Sequence, residues 1–364
     1  MDDVVAKAKY SCPACGAEAH WNPAKKALVC PYCHTVSPGE LLADGSTIRE
    51  NDLVATLRNL SSESRGWNTE RVSVKCQSCE AISVFDPTKV AKRCDFCGSA
   101  QLVPYDQIKA PIRPESLLAF QISETQVRDL VRRWYGSHFF APNKLKKSAL
   151  TDTLHGLYIP FWTFDAQVHA GWTAMAGHYY YENESYRDSK GQTQTRRVRK
   201  TRWVPAAGAL DHFFDDEMVS GSAGLDASLL AQVGPFPTDK LVPYDAGYLA
   251  GWVVEQYQID LVQGSRQAQA KMDEKLRVLC SREVPGDTQR DLQVQADYAQ
   301  QTFKHLLVPV WLVTFDYGAR SFPVLVNGFT GKISGKYPLS WIKIALVSLG
   351  VLIVVLLLMQ YVSQ

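Results

Sequence analysis

Eight of the nine cysteines fall in one repeated spacing: Cys12-x-x-Cys15, fourteen residues, Cys30-x-x-Cys33, then Cys76-x-x-Cys79, fourteen residues, Cys94-x-x-Cys97. Two close thiolate pairs joined by a hairpin-length connection suit a tetrahedral Zn2+ whose four positions are all filled by protein. The spacing predicts two zinc ribbons with one Zn2+ each. Gly16 and Gly98 follow second cysteines, where such a knuckle often requires positive φ. Four thiolates leave no open position for water or substrate, so these sites hold structure and run no reaction. Only Cys280 stands outside the pattern, which argues against a disulfide scaffold and for a reducing compartment. Cys280 follows Leu279 in a helical stretch and reads as a buried, inert thiol.

Other chemistry is sparse. Gly328-Phe-Thr-Gly331-Lys332 has a Gly-Lys pair, but Val326 stands where a phosphate-binding loop needs its first glycine, and Ile333 where it needs Ser or Thr. A β-turn accounts for the run better. Asp215-Asp216-Glu217 lacks a His or Arg at motif spacing and reads as a solvated loop. His155 and His305, each ahead of a Pro-Trp strand, read as packing or surface residues. The basic run Arg196, Arg197, Arg199, Lys200 and Arg202 is the best surface for an acidic partner. On a strand, Arg196, Lys200 and Arg202 share one face and Arg197 and Arg199 the other, so the run is expected on an exposed hairpin arm. It reads either as a contact for anionic lipid headgroups or as an edge strand guarded by charge. Both ribbons are only mildly basic, so protein contact is expected of them ahead of nucleic acid.

The elements that must position these residues follow from pattern. Composition is 46% apolar with a net charge of +2, which suits a folded core and gives no global attraction to nucleic acid. We read residues 1–37 as ribbon one, 38–69 as a helix and linker, 70–104 as ribbon two, and 105–115 as a Pro-containing connector. Ile48, Leu53, Val54, Leu57 and Leu60 mark the linker helix, and Ser61 to Gly66 its polar continuation, so the ribbons are expected as separate beads. Residues 116–336 read as an α+β domain, mainly antiparallel, with at least two helices. Ser123 and Gln126 form a capping box before Val127, Leu130, Val131 and Trp134, and Ala268 to Leu279 form a second helix stopped by Pro285-Gly286. Strands are expected at 157–172, 173–181, 196–206 and from about 290 to 335, with Glu182 to Thr195 as a long hairpin tip. Tyr158-Ile-Pro160-Phe-Trp162 echoes Leu307-Val-Pro309-Val-Trp311, which suggests two similar β units in one domain.

Residues 337–364 are expected to be a tail anchor. The charge-free run from Ile344 to Met359, within a span of about 342–362, just suffices for a bilayer core of roughly 30 Å. Trp341 and Tyr361 sit at belt positions, and Lys332, Lys336 and Lys343 on the N-terminal side put the bulk of the chain in the cytoplasm. The start of the chain has no signal-peptide pattern.

Leu118-Ala-Phe120-Gln-Ile122-Ser, Trp134, Phe140-Ala-Pro142 and the stretch from Gly156 to Asp165, continued by Val308-Pro309-Val-Trp311 and Asn327 to Lys332, carry a resemblance. Over most of residues 70 to 340 the chain resembles a bacterial family of uncharacterised membrane-anchored proteins with zinc ribbons of the transcription-factor-IIB type. Some members are labelled primosomal helicase-like, an activity whose nucleotide motif this chain lacks. The resemblance also implies a link to phage-shock-type membrane-stress systems. The function expected is a non-enzymatic, single-pass membrane adaptor with a protein partner, touching lipid through its C-terminal helix. The alternatives are a membrane-tethered nucleic-acid-binding protein and an enzyme with its site in 116–336.

Overall fold

The computed structural model describes residues 10–37, 48–58, 72–79, 81–85, 93–96, 99, 101–104, 112–142, 154–187, 189, 191–317 and 320–362. It is a mixed α/β structure. Strands β1 (His20–Asn22), β2 (Ala27–Val29) and β3 (Val36–Ser37) form a small antiparallel sheet around the first cysteine set. Next come β4 (Asn51–Asp52), the short helix α1 (Leu53–Arg58), and β5 (Val72–Cys76), β6 (Ile82–Phe85) and β7 (Leu102–Pro104) around the second set. The body then runs β8 (Ser116–Leu117), α2 (Glu124–Ser137), β9 (Leu154–Arg187) and β10 (Thr193–Ser220). After α3 (Ala227–Val233) and β11 (Val242–Pro243) follow β12 (Val253–Glu255), α4 (Leu261–Glu283), β13 (Thr288–Tyr317), β14 (Arg320–Asn327) and β15 (Ile333–Gly335). The apolar helix α5 (Trp341–Val362) comes last. Strands β4 to β15 belong to one sheet of 12 strands, antiparallel except where β8 meets β13 and β12 meets β9.

At 34 residues, β9 spans about 110 Å of strand and passes through three environments. From Leu157 to Ala166 both faces are buried, because residues of both parities are mostly apolar and both sides are covered. Leu157, Ile159 and Phe161 enter one core, while Trp162 and Phe164 enter another beneath α4. From Val168 to Ala174 only the even residues are buried, against the α4 stripe Ala268, Met272, Leu276 and Cys280. Past Gly177, where β13 begins, the side chains are mostly exposed and β9 pairs with β10 alone. The strand break expected between Trp172 and Thr173 is absent: Ala170-Gly-Trp-Thr-Ala174 offers no turn geometry and the alternation continues through it.

The Pro-Trp echo is the centre of the fold. The two copies lie side by side, Pro160 opposite Leu307 and Pro309 opposite Tyr158, so Ile159 and Val308 face each other on a local two-fold axis. Parallel β12 lies beside Leu157 and Tyr158, as β8 lies beside Leu306 and Leu307. Each short strand leads to a capped helix, through Ser123 into α2 and Asp260 into α4. The Trp162 indole donates to Ile259 O at 2.8 Å, and that of Trp311 donates to Ile122 O at 2.9 Å. Gly221 and Gly328 repeat the relation, donating to Pro160 O and Pro309 O at 2.8 Å each. Gly221 O then receives the N–H groups of Gln258 and Ile259, and Gly328 O those of Gln121 and Ile122. The body is thus two strand-helix-strand-strand units, each donating its tryptophan to the other.

Several expectations change. The cysteine segments are docked on the body, not separate beads: β6 pairs with β12, and Trp21 N–H donates to Ala250 O at 3.2 Å. The linker helix starts at Leu53 and not near Ile48, because β4 ahead of it is held by Thr302 and Phe303 of β13. The polar stretch 61–66 lies outside the described residues. The capping box is present, 328–332 is a turn between β14 and β15 in which Asn327 Oδ1 accepts two backbone N–H groups, and Cys280 is fully buried. One strap, Ile112 to Glu115, is tied to β13 at His305. Its backbone N–H donates to Glu115 Oε2 at 2.8 Å, its ring Nδ1 lies 2.8 Å from Ile112 O, and Asn51 Nδ2 donates to Glu115 Oε1 at 2.7 Å. Burial lifts Glu115 to about 7 against those donors, and burial pushes His305 down to about 4.

If the two tryptophans are equivalent keystones, Trp162→Phe and Trp311→Phe each orphan a carbonyl. Each should lower stability by about 1–3 kcal/mol in urea unfolding. Loss in one variant only would break the equivalence. Glu115 has a raised folded pKa, so its stability contribution is complete below about 4.5 and is lost as pH rises through about 7. Stability of Glu115→Gln relative to the parent should therefore grow over that window, by at most ~3 kcal/mol, and stay level above it. A pH-independent difference would refute the assignment.

Candidate functional site

Each cysteine knuckle is built the same way. The first Cys N–H reaches the carbonyl five residues on: Cys12 to Ala17, Cys30 to Thr35, Cys76 to Ala81 and Cys94 to Ser99, at 2.6, 3.0, 2.9 and 2.7 Å. In the first set this curls the chain so that both sulfurs of each pair point inward. In the first set, the residue after each second cysteine is left-handed, Gly16 at φ 74° and His34 at φ 58°. Cys12, Cys15, Cys30 and Cys33 converge, all four Sγ atoms lying within 4.8 Å of one another. Cys12 to Cys33 is 3.4 Å and Cys15 to Cys30 is 3.5 Å. Metal–sulfur bonds of 2.3 Å in a tetrahedron require sulfurs about 3.8 Å apart, so the cluster has the dimensions of a metal site. The Thr35 hydroxyl, then the Thr35 backbone, then Cys12 bring the Cys33 thiol down to about 6.

Cys76, Cys79 and Cys94 converge in the same way, with Cys79 and Cys94 3.6 Å apart. Cys97 and Gly98 lie outside the described residues. Both sets rest on one segment of the body. Asp245 accepts from Tyr10 at 2.5 Å, Tyr248 packs edge-on to Trp21 at 4.8 Å, and the Trp21 indole donates to Phe120 O at 3.2 Å. Ten residues on, Val254 and Glu255 pair with Val84 and Ser83, and Gln256 N–H donates to Ile82 O at 2.9 Å. Gly251, at φ 82°, lies so close to His20 that a Cβ would meet its ring at 2.6 Å.

The basic run lies on the two-stranded arm that β9 and β10 form beyond Gly177. Its register sorts charge by face. On one face Arg196 pairs with Glu184 at 3.4 Å, and Lys200 with Glu182 and Glu184 at 2.6 and 3.2 Å. Arg202, on that face, lies opposite His178. The other face carries Arg197 over the Tyr181 ring at 4.2 Å and Arg199 over Tyr179 at 4.3 Å. Trp203 follows at the root with Arg290 over it at 4.3 Å. Among the described residues, no carboxylate lies within ion-pair distance of Arg197 or Arg199. Stacking straightens the arginines and shields the aromatic faces, which a bare two-stranded ribbon needs in water. The tyrosines are the part that sequence reasoning missed. The run Tyr179-Tyr180-Tyr181 was visible, but only register decides which tyrosine lies opposite which arginine.

The acidic run behaves otherwise than a solvated loop. Asp165, Asp215 and Asp216 bring carboxylate oxygens within 4.8 Å, and Lys304 Nζ reaches Asp216 at 2.8 Å and Glu50 at 3.2 Å. Glu217 is buried and paired with Lys275. An ammonium group already serves this cluster. Helix α5 is long and apolar enough to cross a membrane, at 22 residues or about 33 Å, and its apolar side chains are exposed.

No protein-family profile matches the chain, and no solved structure matches it. The chain is similar to an uncharacterised Bacillus subtilis protein, YdjG, with 26% identity over 247 residues that span 66% of this chain and 68% of that protein.

Proposed function

We propose that the chain is a non-enzymatic membrane adaptor: α5 crosses the bilayer, each four-cysteine set holds one Zn2+ as a structural staple, and the β9–β10 arm makes the partner contact. The observation that carries this reading is the placement of arm and anchor. α5 follows β15, which pairs through β14 and β13 with the Leu154 end of β9, whereas the arm is the other end of that strand. About 75 Å of strand separates Leu154 from Gly177. Such an arrangement supports reach toward a soluble partner over contact with the anchor's own headgroups. The body lies in the cytoplasm, as Lys332, Lys336 and Lys343 on its side of α5 favour. The link to membrane-stress systems that the family resemblance implies supports an adaptor at the bilayer. The partner segment is acidic protein, because Arg197 and Arg199 offer guanidinium groups with no carboxylate of their own to satisfy them.

A second reading, binding of single-stranded nucleic acid, is favoured by one observation, the alternation of Arg with stacked Tyr on a single face. Salt titration separates the two. With a single-stranded oligonucleotide as probe, log K should fall with log salt and the Arg197→Gln/Arg199→Gln variant should lose about 0.7 of slope per phosphate contact. The adaptor reading expects no measurable oligonucleotide affinity, and binding of a poly-glutamate probe that the double variant abolishes. Equal glutamate binding by parent and variant would sink it.

Zinc is tested by metal analysis of purified full-length protein. Cys12→Ser and Cys76→Ser should each lower bound zinc from two ions to one per chain. Chelation should loosen the seat at 245–256, read as faster amide exchange there than in α4. Unchanged zinc content in both variants would refute the ligand assignment.

A further inference from the structure

The turn after α2 carries two adjacent phenylalanines that the core does not use. Phe139 is 63% exposed and Phe140 37%, and among the described residues no phenylalanine is more exposed than Phe139. Their rings meet edge to face at 5.3 Å, forming one apolar knob. An exposed diphenyl knob is costly on a purely soluble surface. Its place in the fold gives it a use. Ser340, one residue ahead of α5, donates its N–H to Phe140 O at 2.8 Å. Lys343 in the first turn of α5 donates through Nζ to Phe139 O at 2.9 Å and Ala141 O at 2.7 Å, and lies 5.6 Å from the Phe139 ring centre. The knob is therefore fixed at the level of Trp341 and Ile342, which are 78% and 75% exposed. Behind it, α2 is held rigidly: Val127, Val131 and Tyr135 are buried, and Trp134, His138 and Tyr337 stack at 4.3 to 5.7 Å.

We propose that Phe139 and Phe140 form a second membrane contact, a foot that enters the bilayer interface beside the start of α5 and sets the angle of the body on the membrane. This rests on the reading of α5 as a membrane span. The occupant is the lipid interface and not another protein, because the knob is continuous with the α5 entry point through three hydrogen bonds. Aromatic groups partition favourably at that depth, and the Lys343 ammonium, spent on two carbonyls, sits where a lysine at a helix end reaches the headgroups. A single helix leaves a body free to tilt and rotate. Two contacts on one rigid helix pair remove that freedom and would aim the β9–β10 arm away from the bilayer.

The test uses the full-length protein in phosphatidylcholine–phosphatidylglycerol vesicles, with a photoreactive benzoyl-phenylalanine introduced at position 139, at Val351 in the middle of α5, or at Tyr181 on the arm. After irradiation, mass spectrometry should find lipid adducts at 139 and 351 and none at 181. An adduct at 351 without one at 139 overturns the foot while leaving the span intact. Absence at 351 removes the span reading and the foot with it. A cross-link from 139 to a second copy of the chain also overturns the proposal, since it makes the knob a protein interface. A Phe140→Ser change in the 139-labelled protein should reduce the adduct yield at 139 without altering that at 351.

Discussion

The antiparallel pairing of β9 with β13 about Ile159 and Val308 is the interaction on which the rest of this protein depends. It places two Pro-Trp segments in register, with Pro160 opposite Leu307 and Pro309 opposite Tyr158. Each tryptophan then reaches across to the carbonyl just ahead of the opposite helix cap, at Ile259 or Ile122. Phe120 packs on Trp311 at 5.3 Å and Tyr257 on Trp162 at 5.1 Å in matching edge-on geometry. A slip of one residue would turn every one of these side chains to the opposite face. The register is therefore held by the whole set of buried rings and indole hydrogen bonds.

From this centre the two units diverge. One continues beyond the shared sheet as the arm, because β10 follows β9 to Arg187 while β14 follows β13 for only eight residues. The other ends in the short turn at Asn327 and leads to β15 and α5. The cysteine sets occupy the seam between units, on residues 245–256. Small Cys-rich sheets have little apolar surface of their own, so these segments lean on the body through the buried Trp21, Ala81 and Ile82. The cysteine clusters and the body packing meet at this seam.

Charge is distributed by the same geometry. Where β9 is buried on both faces, its Asp165 is answered by Thr302 and the Asp216 N–H, with Lys304 close by. Where it is exposed, acidic residues pair on one face and arginines stack on tyrosines on the other. Unpaired edges of a long ribbon invite pairing with other chains, and this density of charge protects the arm from it.

Local patterns were legible in the sequence: the cysteine spacing with its Gly16 turn, the capping box at Ser123 and Gln126, the α4 stripe, the apolar α5, and the arm as a hairpin, although the tip expected over Glu182 to Thr195 is shorter because Glu182 to Arg187 pair with Thr193 to Val198. Each depends on residues a few positions apart, where knuckle geometry, helix period and strand alternation act directly on the chain. The echo of Tyr158 to Trp162 in Leu307 to Trp311 was also visible, but not that its copies pair with each other. Tertiary structure alone decided that pairing, the docking of both cysteine segments on 245–256, the stacking of Arg197 and Arg199 on Tyr181 and Tyr179, and the clasp of Lys343 on the Phe139 turn. All four join residues far apart or fixed by register, and strand register is set by the summed burial of many side chains, which no short stretch of sequence contains.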